Sequence, residues 1–106
     1  MKVLEISSIG VEDNLIYYRR NYTAIAKIDF LSKQEDVQIS FTIEVDPFGR
    51  KTITLNYPYG TNFDYPVLPV TKSIKEKILS MDSEGLLPIR IVIQIQQSRQ
   101  LNLEKK

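Results

Sequence analysis

Val37-Gln38-Ile39-Ser40-Phe41-Thr42-Ile43-Glu44-Val45 places an apolar side chain at every odd position and a polar one at every even position. Side chains on a strand alternate between its two faces, so this stretch reads as a strand with one face in a core and one in water. The same alternation resumes at Lys51-Thr52-Ile53-Thr54-Leu55-Asn56-Tyr57. Between the two runs stands Asp46-Pro47-Phe48-Gly49. Proline presets the first central φ of a tight turn, and glycine supplies the positive φ that follows. A β-hairpin closed by a type I turn with a bulge is the expected result.

Upstream, Tyr22, Ala24, Ala26, Ile28 and Phe30 form another apolar row, and Ser32 to Asp36 reads as a polar turn. Residues 22 to 57 are thus expected to form a three-stranded meander. Val3 to Ile9 adds a fourth strand. After Tyr57, the prolines at 58, 66 and 69 forbid a continuous element. A helix is expected from Thr71 or Ser73, because Ser73-Ile74-Lys75-Glu76 matches a capping box. Ile74, Ile78 and Met81 share one helical face with Leu79 beside them, Gly85 suits a left-handed C-cap, and Pro88 prevents continuation. The β-branched run Ile89, Ile91, Ile93, Ile95 reads as a last, interior strand, and Gln97 to Lys106 as a frayed tail.

The expected architecture is one α+β domain over residues 1–106. It holds a mostly antiparallel sheet of four to five strands, ordered β-β-β-β-α-β, with a single helix on one face. A length of 106 residues fits one domain, and 42% hydrophobic content fills one core.

Composition narrows the chemistry. The chain has no histidine and no cysteine. That removes the commonest general base, the commonest metal-binding nitrogen, and every thiolate or disulfide role. Fourteen basic residues against 13 acidic ones give a net charge of +1, with no pull toward nucleic acid or an anionic surface. No catalytic site, cofactor or metal is expected. The first residues lack the pattern of a leader, and no apolar run approaches the ~20 residues of a membrane helix. A cytoplasmic setting without membrane contact is expected.

Two aromatic segments carry what functional signal there is. Tyr57, Tyr59, Phe63, Asp64 and Tyr65 lie in a long Tyr/Pro-rich connection. Loops of this kind serve as binding surfaces, or else cap a core with their rings. Tyr17, Tyr18, Arg19 and Arg20 put rings beside guanidinium groups, a pairing suited to stacking bases and neutralising phosphates.

The carboxylates of Glu44, Asp46 and Asp64 read as structural, Asp46 as the first residue of its turn. Ser73 and Lys77 stand four apart, but the expected cap accounts for Ser73. Lys72, Lys75 and Lys77 gather at the start of the helix, where a solvated face explains them. Open sheet edges invite partner strands, and pairing is expected at the N-terminal strand.

The leading expectation is a non-enzymatic protein-binding or assembly module, including self-association, that uses the aromatic loop and a sheet edge. The alternative is a weak single-stranded nucleic-acid binder through Tyr17, Tyr18, Arg19 and Arg20.

Overall fold

The computed structural model describes residues 1–12, 18–63 and 65–88. Four strands, β1 (Lys2–Val11), β2 (Arg19–Asp29), β3 (Gln34–Val45) and β4 (Lys51–Asn56), precede one helix, α1 (Val67–Ser83). The strands form an antiparallel sheet in the order β1-β2-β3-β4. The fold is therefore α+β, as the alternation implied. The proposed strand at Ile89 to Ile95 and the tail from Gln97 lie outside the described residues.

The decisive stretch behaves as its pattern dictates. Val37, Ile39, Phe41 and Ile43 are buried, and Gln38, Ser40, Thr42 and Glu44 face the other way. Across β2, Tyr22, Ala24, Ala26 and Ile28 complete the row. Phe41 sits opposite Tyr22 on one side and Leu55 on the other. The rings of Tyr22 and Phe41 stack with centroids 4.9 Å apart.

The hairpin also forms as expected. The Asp46 carboxylate accepts the backbone N–H of Phe48 at 2.8 Å and of Arg50 at 2.9 Å, and Gly49 takes φ +84°. Hydrogen bonds from Arg50 and the turn amides hold the Asp46 carboxyl below the ordinary range. Its role is in the turn.

Several boundaries differ from the sequence reading. The β2–β3 connection is tighter, because Leu31 adopts φ +77° and Phe30 N–H reaches the Lys33 carbonyl at 2.9 Å. Gln34, Glu35 and Asp36 are therefore strand residues, paired with Asp29, Ile28 and Lys27. Strand β1 is longer than Val3 to Ile9 and is bulged in two places, between Val3 and Glu5 and between Ser7 and Gly10, with Ser8 at φ +53°. Such irregularities add unpaired residues and shift the alternation. That is why the residues on the core side are Val3, Ile6, Ile9 and Val11 rather than a strict every-second row.

The helix begins earlier than the capping box suggested. Pro66 is its N-cap, and no side chain caps that end. Pro69 falls in the first turn, where a backbone N–H has no acceptor within the helix and its loss costs nothing. Ser73 is thus an interior residue rather than a cap. The other end matches expectation. Gly85 has φ +73°, Leu86 N–H bonds the Met81 carbonyl at 2.9 Å, and Gly85 N–H bonds that of Asp82 at 3.1 Å, which is a Schellman motif. Val70, Ile74 and Ile78, spaced by four, are fully buried against the sheet. No helix among the described residues is long and apolar enough to cross a membrane.

Candidate docking groove

The aromatic segment after β4 is largely spent on packing. Phe63 and Tyr65 each lie 5.7 Å, centroid to centroid, from the buried ring of Phe30. Tyr57 meets Phe63 edge-on at 5.7 Å and shares a 2.7 Å hydrogen bond with the Thr71 hydroxyl. Burial raises the Tyr57 phenol above its ordinary pKa, against the opposing pull of that bond. Only Tyr59 stands clear in water, and Asp64 lies outside the described residues. The rings cap one end of the core.

This division makes a prediction. Phe63→Ala should cost about 2–3 kcal/mol, less than the ~3–5 kcal/mol of a core Phe→Ala change because Phe63 is only partly buried. Tyr59→Ala should stay within about 0.5 kcal/mol, as a free surface position does. Urea unfolding of the two single variants measures both. Equal losses would contradict the assignment of Phe63 to packing.

The Tyr/Arg cluster is split by the pleat. Tyr17 lies outside the described residues, and Tyr18 is half exposed. Arg19 is on the outer face, its Nε 3.9 Å from Glu44. Arg20, one residue on, points to the helix side. There its Nη1 lies 3.1 Å from Asp82 Oδ1, and its Nη2 donates to Oδ2 at 3.3 Å. Lys51 Nζ donates to the same Oδ2 at 2.6 Å. Arg20 Nη1 also reaches the Tyr22 hydroxyl at 3.0 Å, which in turn donates to the Pro88 carbonyl at 3.1 Å.

Sequence reading missed this hub, since Asp82 is 62 residues from Arg20 and 31 from Lys51. The Asp82 side chain is only 8% exposed. Burial alone would raise its pKa, but hydrogen bonds and charge from Lys51 and Arg20 prevail and hold it below the usual carboxylate value. Arg20 is likewise held above its ordinary value: burial opposes the charge, and bonding to Asp82 outweighs it.

Two polar links therefore fasten α1 along β4, Lys51 to Asp82 at one end and Tyr57 to Thr71 at the other. Between them runs a groove of about 410 Å³. Ile53 lines it from β4 and Thr71 from the helix, and Leu68 and Leu79 line it farther along the helix with Lys72 and Lys75 between them in sequence. Residues 68, 72, 75 and 79 follow one flank of the helix at spacings of four, three and four. Leu68 is 78% exposed and Leu79 43%, while Ile53 and Leu55 of β4 are only half buried. No described residue forms an ion pair with Lys72 or Lys75. Among the described residues β4 pairs with β3 alone, which leaves its other backbone edge without a described strand, and Lys51 and Ile53 of the same strand line the groove.

One family model matches residues 1–83, the stretch that holds all four strands and the helix. The chain belongs to the BB-0187 family. The groove from Lys51 to Leu79 falls entirely within the stretch that defines the BB-0187 family, whereas Pro88, at the end of the hub, lies beyond it. No curated protein and no solved structure matches the chain.

Proposed function

We propose that this chain is a non-enzymatic protein-binding module that receives an extended segment of a partner on the β4 edge, beneath the open flank of α1. The observation that carries the reading is the coincidence of a β4 edge that no described strand pairs with and two exposed leucines lining the same groove. Added strands gain affinity from main-chain hydrogen bonds and specificity from pockets for alternate side chains. The aromatic loop becomes support rather than surface, because Tyr57, Phe63 and Tyr65 are committed to the core and to Thr71. The nucleic-acid alternative is weaker than in sequence, since the Arg20 charge is engaged by Asp82 and Arg19 faces Glu44.

Selection from a phage-displayed library of random twelve-residue peptides tests the reading. Selected peptides should shift the backbone amide resonances of Lys51–Asn56 and of the helix flank. The double variant Leu68→Glu/Leu79→Glu should lose that binding while its stability changes by about 0.5 kcal/mol or less, as exposed positions allow. Resonance shifts centred on Tyr18 and Arg19, or binding untouched by the double variant, would overturn it.

A further inference from the structure

The charge and spacing of the groove say more about its occupant, on the assumption that the docking reading above holds. We propose that it takes an extended partner segment with apolar side chains at its first and fifth positions and a carboxylate at the third. Eleven helical steps separate Leu68 from Leu79, about 16 Å along the axis. Four extended steps span about 13 Å and bring positions one, three and five to the same face. The spans differ by about 3 Å, so each outer position falls within about 2 Å of Leu68 or Leu79 along the axis, a gap that side chains of this length bridge. The middle one arrives beside Lys72 and Lys75, which outnumber the single nearby carboxylate, Glu76.

Other occupants fit less well. A second copy of the chain would bring its own lysines against these. The chain's Ile89 to Ile95 segment offers Arg90 and no carboxylate. The partner is therefore an acidic, alternating segment of another protein.

Fluorescence anisotropy with the full chain and three labelled nine-residue peptides tests this. The first carries leucine-threonine-glutamate-threonine-leucine at its centre, the second has lysine for glutamate, and the third has proline for both threonines. The glutamate peptide should bind at least about tenfold more tightly than the lysine peptide, with a preference that shrinks as salt rises. The proline peptide, lacking two backbone donors, should bind more weakly than its parent. Lys72→Glu/Lys75→Glu should reverse the charge preference.

Equal binding of the glutamate and lysine peptides would overturn the charge assignment and leave strand docking intact. Absence of binding by either up to about 1 mM, the weak end of specific affinity, would overturn both. A mixed single-stranded oligonucleotide that binds where the peptides do not, and is released by the lysine substitutions, would overturn both in favour of nucleic acid.

Discussion

Asp82→Ala should lower the unfolding midpoint by about 10–20 °C, the shift that a loss of 2–3 kcal/mol produces in a domain this size. The substitution leaves Arg20 and Lys51 facing each other without the carboxylate that holds both. Breaking a fully buried pair costs about 3–5 kcal/mol. The value expected here is smaller because the Arg20 and Lys51 side chains retain 26% and 35% of their exposure and water can screen them. The effect should depend on pH with a definite sign. The Asp82 carboxyl is held below its ordinary value, so the unfolded chain takes up that proton first as pH falls. The stability it contributes is complete above about pH 4, the unfolded value, and drains away as pH drops through the lower folded value. Asp82→Asn removes the titration. The gap between the parent and this variant should therefore narrow as pH falls from about 6 to about 2. Thermal unfolding across that range, followed by circular dichroism, measures both. A constant gap would show that the carboxylate contributes nothing through its charge.

Phe41→Ala should be the most damaging single change in the sheet, at about 4 kcal/mol, within the range for emptying a fully buried aromatic site. Phe41 is 1% exposed and stacks on Tyr22, which is equally buried. Its loss opens a cavity beneath β2 and β4 together, since Phe41 pairs across to both Tyr22 and Leu55. A domain of this size has only about 5–15 kcal/mol of stability in all, so the variant should unfold at much lower urea. Phe41→Leu refills most of the space and should cost about 1–1.5 kcal/mol. Equilibrium urea unfolding separates the two. A Phe41→Ala cost near that of Phe41→Leu would mean that the ring is not the centre of the core.

The parts of this structure that are legible in sequence are those governed by near neighbours. The alternation through Phe41 and the Asp46-to-Gly49 turn are local chemistry, and both are readable. Strand β1 is blurred because two bulges shift its apolar residues off a period of two. The helix start is misplaced because Pro66 and Pro69 look like breakers when no structure shows that they occupy the cap and first turn. That misplacement hides the groove. With Leu68 read as loop, its alignment with Lys72, Lys75 and Leu79 is invisible, although the spacing is present in the sequence. The Asp82 hub has no sequence signal at all, since topology alone brings its members together.

Among the described residues the two margins of the sheet, β1 and β4, also differ in regularity, and this bears on how many molecules the proposed docking could join. Strand β4 is short and unbroken, whereas β1 is interrupted by its two irregularities. Interrupted edges resist pairing with another chain. A molecule with one receptive side and one refractory side has a valency of one. On the proposed docking reading it would accept a single strand without passing the pairing on to a third chain, so the association would end at a discrete complex instead of growing into a fibre.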